Sequence, residues 1–108
     1  WYHKRAADKI TKCVDYHWPE IGRKNKPPIL VRDQRRQWGS CAADGTLRFN
    51  WRLIMLDPDL IEYIVAHELA HLRVRSHSPR FWDRVADMVG DVGSIRRRLR
   101  RVEGVLPL

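Results

Sequence analysis

Acid, cysteine and long apolar runs are all scarce in this sequence, and each scarcity excludes something. The 13 acidic residues face 21 lysines and arginines, for a formal net charge of +8. The two cysteines, Cys13 and Cys41, make no C-x-x-C pair and no disulfide framework, so a reducing, cytoplasmic compartment is the expected home. Apolar runs such as Leu53 to Leu56 and Tyr63 to Ala66 fall far short of the ~20 residues of a membrane span. No signal-peptide pattern opens the chain. Trp1 rather than Met stands first, so we expect the C-terminal part of a longer chain. Repeats are absent, and the only biased stretch is Arg96-Arg97-Arg98-Leu99-Arg100-Arg101.

The 108 residues suit a single domain, residues 1–108, with a modest core. A hydrophobic content of 44% beside 31% charged residues is that of a soluble globular chain. Charge is uneven. Residues 1–36 hold ten basic residues against four acids, residues 37–95 six against eight, and residues 96–108 five against one. Basic ends permit non-specific contact with nucleic acid, although solvated surface charge is the simpler explanation. A monomer with no membrane contact is expected.

Ala6, Ala7, Ile10, Cys13, Val14, His17 and Trp18 recur at helical spacing and predict a helix over 2–18, ended at or near Pro19. His17 lies on its apolar stripe and reads as a packed histidine. Pro27-Pro28 closes a basic connector. Strands are predicted at 29–33, 38–42 and 46–50, the last two joined by the Ala43-Asp44-Gly45 hairpin signal. Gly39 in the second strand suggests a bulge or a close backbone approach. Residues 51–56 suggest a short helical turn, and Gln34-Arg35-Arg36 an exposed turn. Asp57-Pro58 and Ser78-Pro79 each pair a capping residue with a first-turn proline. They predict helices over 58–73 and from Pro79 to about Val89, with Gly90 and Gly93 as stop signals. A last arginine-rich helix is predicted over 94–102.

The chemistry sits in His67-Glu68-Leu69-Ala70-His71. On a helix, His67 and His71 project from one face one turn apart and can grip one metal ion from the same side. Glu68, rotated by about 100°, stands beside that ion, where a base would take a proton from a metal-bound water. His77 can be a third ligand only if the helix ends and the chain bends back. Its place just before Ser78-Pro79 favours this, with Asp83 or Asp87 as the alternative ligand. Three imidazoles suit one zinc ion, and three protein ligands plus an open position describe a catalytic site. Tyr63, Arg73 and Arg75 are the candidates for stabilising an oxyanion. The 67/71/77 spacing equals that of H-E-x-x-H-x-x-G-x-x-H metalloproteases, but their glycine falls at Val74. A β-branched residue does not take that glycine's positive φ, so the helix is expected to run past Val74 and turn at Arg75-Ser76.

Three stretches carry a family resemblance. They are Gln37 to Cys41 with Leu47 to Ile54, then Val65 to Leu72, and then His77 to Trp82. Together they resemble the YgjP-like metallopeptidase domain, a zincin related to SprT-like and minigluzincin-type small metalloproteases. The resemblance implies a zincin-like α+β fold, with a small, about three-stranded sheet against the active-site helix and helices at both ends. It implies His67, His71 and His77 as zinc ligands and Glu68 as the base for peptide-bond hydrolysis. It also implies an additional N-terminal region. Gly90-Asp91-Val92-Gly93 departs from the expected proline-aromatic turn. In zincins an edge strand holds an extended substrate by β-augmentation, and Leu47, Arg48 and Phe49 are the candidate strand, simple sheet pairing being its other role. Two further activities stay open: zinc-dependent hydrolysis of a nucleotide phosphoanhydride, and a SprT-like protease acting beside nucleic acid.

Overall fold

The apolar stripe of the first helix and that of the motif-bearing helix face each other, and this pairing sets the architecture. The structure, a computed structural model, describes residues 1–34 and 36–103. The turn expected at Gln34-Arg35-Arg36 and the end of the expected domain therefore lie partly outside the described residues. The element order is α1 (Tyr2–Ile21), β1 (Ile29–Arg32), β2 (Gly39–Cys41), β3 (Leu47–Asn50), a 3-10 turn (Trp51–Met55), α2 (Pro58–His71), α3 (Pro79–Val89) and α4 (Val92–Glu103). This is the expected α+β arrangement. No helix is long and apolar enough to cross a membrane among the described residues.

Ala6, Ile10, Val14, Trp18 and Ile21 are buried along α1, and Leu60, Ile61, Ile64, Val65 and Leu69 along α2. Leu47 and Phe49 from β3, Leu53, and Phe81 and Val85 from α3 complete one continuous core. Each such side chain contributes roughly 1.5–3 kcal/mol through burial. His17 is packed as expected, 1% exposed, with Nε2 2.8 Å from Glu62 Oε1, joining α1 to α2.

Three helix boundaries differ from expectation. Pro19 lies inside α1, which runs on to Ile21 and ends at Gly22 with φ 74°. A proline forfeits one backbone bond, but burial of Trp18 and Ile21 holds the last turn in place. Arg73 reinforces that end, donating to the carbonyls of Ile21 and Gly22 at 2.7 Å each. Gly93 lies inside α4 and stops nothing. Asp91 starts that helix instead, accepting from Ser94 N at 3.1 Å. The end of α2, the third difference, belongs to the site.

The sheet has the order β1-β3-β2, with β1 parallel and β2 antiparallel to β3. Thus β3, the candidate edge strand, is central. Leu47, Arg48 and Phe49 are paired on one side with Ile29, Leu30 and Val31, and on the other with Cys41, Ser40 and Gly39. The hydrophobic alternation marks β3 as a strand but says nothing of which neighbours flank it. The free edge beside α2 belongs to β2.

Candidate active site

Helix α2 ends at His71, two residues short of the expected Arg73 and well before the expected turn at Arg75-Ser76. Leu72 donates to Leu69 O, and Arg73 and Val74 both donate to Ala70 O, which tightens the final turn. Val74 is buried, and no residue other than glycine has positive φ among the described residues. The chain therefore bends without the glycine conformation that Val74 lacks. The bend returns His77 to the helix: ring nitrogens of His67, His71 and His77 all lie within 4.8 Å of one another. No other group of three or more potential ligand residues converges in this way among the described residues. Asp83 and Asp87 are not part of the group, and Asp87 lies instead in a hollow with Glu20 and Arg84.

Each ring is oriented by its surroundings. His71 Nδ1 is 3.1 Å from the Val74 carbonyl, so that nitrogen carries the proton and Nε2 keeps its lone pair. His71 Nε2 is 3.1 Å from His77 Nε2. Tetrahedral ligation at about 2.0–2.1 Å puts ligand nitrogens about 3.3 Å apart, so this pair fits a zinc ion. His67 Nδ1 is 3.0 Å from Glu68 Oε2. Burial holds the His71 imidazole below its usual pKa, with the charges of His67 and His77 acting the same way against the Val74 hydrogen bond. A neutral ring is the form that binds metal. Helix α3 supplies the bed: Phe81 lies against His71 at 4.4 Å between centroids, and Trp82 stacks on His77 at 5.7 Å. Arg96 from α4 covers Trp82, 4.5 Å from its ring. The Phe-Trp pair thus touches all three histidines, Phe81 also meeting His67 edge-on at 5.1 Å.

Glu68 is 6% exposed and lies under β2. Gly39 is the reason β2 can come so close. A Cβ there would stand 3.1 Å from Glu68 Cγ, 3.1 Å from Phe49 and 3.2 Å from the Arg48 carbonyl. The close approach suggested by the sequence is therefore real, and it is made onto the motif's glutamate. Ala42 N donates to Thr46 O and Asn50 N to Trp38 O, so Trp38, Ser40 and Ala42 face β3. Gly39 and Cys41 consequently turn their backbone groups outward.

The three oxyanion candidates separate. Arg73 is committed to the end of α1. Arg75 reaches β2, where it donates to Cys41 O at 3.2 Å and Ala42 O at 3.3 Å. Tyr63 lines the cleft with Trp38, Gly39, His67 and Glu68. Burial pushes its phenol pKa up, so the hydroxyl stays a donor.

Asn50 carries a role that the sequence reading missed. It is fully buried; its side chain accepts from Arg52 N at 3.0 Å and donates to the carbonyls of Gln34 and Gln37. It thus holds the segment that leads into β2. The signal was available: an asparagine at a strand end, two residues before an amide it can cap.

The YgjP-like, metallopeptidase domain family matches residues 1–102. The chain belongs to this family. It is a metallopeptidase, a hydrolase that works with a bound metal. Two solved structures share the fold of this YgjP-like domain. The metallopeptidase zymogen of Pyrococcus abyssi abylysin is 22% identical, with a TM-score of 0.68 over 87% of this chain and 90% of its own. That of Methanocaldococcus jannaschii jannalysin is 19% identical, with a TM-score of 0.73 over 91% of each chain. A search of curated proteins gives no match.

Proposed function

We propose that this YgjP-like domain is a zinc peptidase in which His67, His71 and His77 hold the ion and Glu68 is the catalytic base. The observation that carries the reading is the turn after His71. It ties His71 Nδ1 to Val74 O and brings His77 Nε2 to 3.1 Å from His71 Nε2, with the Glu68 carboxylate against the same cluster. When bound, zinc supplies a Lewis acid that polarises a carbonyl and brings a water toward a pKa of about 7.

The chain's own groups do the rest. Gly39 offers an outward N–H and C=O to an extended peptide and Cys41 an outward N–H, its carbonyl being taken by Arg75, so β2 takes the docking role first assigned to β3. The Glu68 carboxylate, shielded beneath β2, accepts the proton of the attacking water and passes it to the leaving amine. Tyr63, on the same helix face one turn before His67 and lining the cleft, is the hydroxyl donor we assign to the carbonyl oxygen.

Metal analysis and a peptide screen of four proteins test this. Wild type should carry about one zinc and cleave peptides. Glu68→Gln should keep the zinc and lose about 10²-fold or more in kcat. Tyr63→Phe should retain zinc with a smaller loss in kcat. His77→Ala should lose zinc at a moderate chelator concentration. Turnover of nucleoside triphosphates with no peptide cleavage would overturn the peptidase reading.

A further inference from the structure

The cleft under β2 is not the same at its two ends. One end, past His67 and Glu68, is lined by Trp38, Tyr63, Ile64 and Leu99 and is mostly apolar. The other, past His71 and His77, is open and lined by Cys41 and Arg75. Arg75 is exposed and forms no ion pair with any carboxylate among the described residues. Its contacts are neutral: Nη1 donates to Ala42 O and Cys41 Sγ, and Nη2 to Cys41 O.

The guanidinium therefore spends its Nη1–Nη2 side on the backbone of β2. Nε–H and the second Nη2–H remain without a protein partner among the described residues. Those two parallel donors form the edge that takes a carboxylate in bidentate fashion. The edge is also held in place, because the contacts to Cys41 and Ala42 fix the ring at the end of the strand, so little side-chain entropy remains to be lost on binding. Arg23 adds positive charge near Cys41. A cation fixed largely by backbone bonds, paired with no acid among the described residues and lining the cleft, has the form of a recognition group.

We infer that Arg75 is a specificity-determining residue that binds a carboxylate of the peptide, selecting an acidic residue on one side of the scissile bond. The apolar end of the cleft takes an uncharged side chain on the other side. This rests on the peptidase reading. Occupation of the Cys41 carbonyl by Arg75 also shortens the free edge, so backbone pairing centres on Gly39 and the Arg75 end is read through a side chain.

The test uses the zinc-loaded protein and matched peptides in which one position, moved stepwise across the cleavage site, is Glu, Ala or Lys. Wild type should favour Glu over Ala by about tenfold or more in kcat/KM at one position. In Arg75→Ala that ratio should fall to about one, and in Arg75→Glu Lys should replace Glu as the favoured residue. Arg75→Lys should keep part of the preference. Absence of any Glu preference, or an equal fall for Glu and Ala peptides in Arg75→Ala, would overturn the assignment, the latter assigning Arg75 to the oxyanion or to support of β2. Equilibrium binding of the same peptides to Glu68→Gln separates the two layers. Selective binding without cleavage by wild type sinks the peptidase reading and keeps the acidic subsite. Cleavage without selectivity does the reverse, and neither binding nor cleavage removes both.

Discussion

At the residue scale, the third ligand separates what spacing can say from what it cannot. H-E-x-x-H on a helix fixes His67, His71 and Glu68 by rotation alone. His77 depends on where the helix stops, and sequence put that stop at least two residues late. The reason is local: Leu72, Arg73 and Val74 are all good helix-compatible residues, and the stop comes from the tightened bonds to Leu69 and Ala70 and the burial of Val74. Tertiary burial outweighed propensity. The proposed ligand set makes a sharp expectation. His77→Ala should weaken zinc affinity by about two orders of magnitude or more, by analogy with losses at metal-supporting positions, whereas Asp83→Ala and Asp87→Ala should bind zinc like wild type. Competition titration against a chromophoric chelator measures this, and loss of zinc in either aspartate variant would return the third position to a carboxylate.

At the scale of elements, the helix starts were legible and the sheet order was not. Pro58 and Pro79 open their helices as expected, yet neither Asp57 nor Ser78 makes a side-chain cap bond. Asp57 turns to Arg98, which also pairs with Asp59, tying α4 to the start of α2. Strand order was hidden because alternation specifies a strand's face, not its neighbours. The Arg98 pairing gives a pH signature. Arg98 holds the Asp59 carboxyl below its usual pKa of 3.8. Because the folded-state value is depressed, the stabilisation is present above the unfolded pKa and is lost as pH falls through the folded one. Arg98→Ala should thus lower Tm modestly at pH 7, less in high salt, and the difference from wild type should close as pH falls below the usual 3.8 and through the depressed folded value. A Tm gap that is independent of pH between 2 and 7 would show that Arg98 acts through packing alone.

For the whole molecule, the proposed metal site lies where the end of α2 meets the start of α3. Its ligands come from the last two turns of α2 and from the bend before α3, and Phe81 and Trp82 of α3 form its bed. An ion held there clamps α2 to α3 in the folded state only. Chelation should therefore lower Tm, with zinc at 1,000 times its Kd worth about 4 kcal/mol. His77→Ala should show a much smaller response to added zinc, and equal Tm with and without metal would mean that the clamp does not exist. The positive charge is less free than composition suggests. Of the five arginines near the end, Arg98 is paired with acids and Arg96 stands on Trp82. Composition registers such side chains only as charge, so their part in holding α4 against the active-site face was invisible before the fold.

The contact between Gly39 and Glu68 has a consequence for how this protein can change over time. Every replacement at position 39 adds at least one carbon to a space bounded by Glu68, Phe49 and a backbone carbonyl. Two of those walls have little room to move: one is strand backbone, the other a fully buried ring. The remaining wall is the glutamate. A residue with no chemistry of its own is thereby tied to the proposed base beneath it: any side chain added at position 39 is accommodated first by displacing the one at position 68.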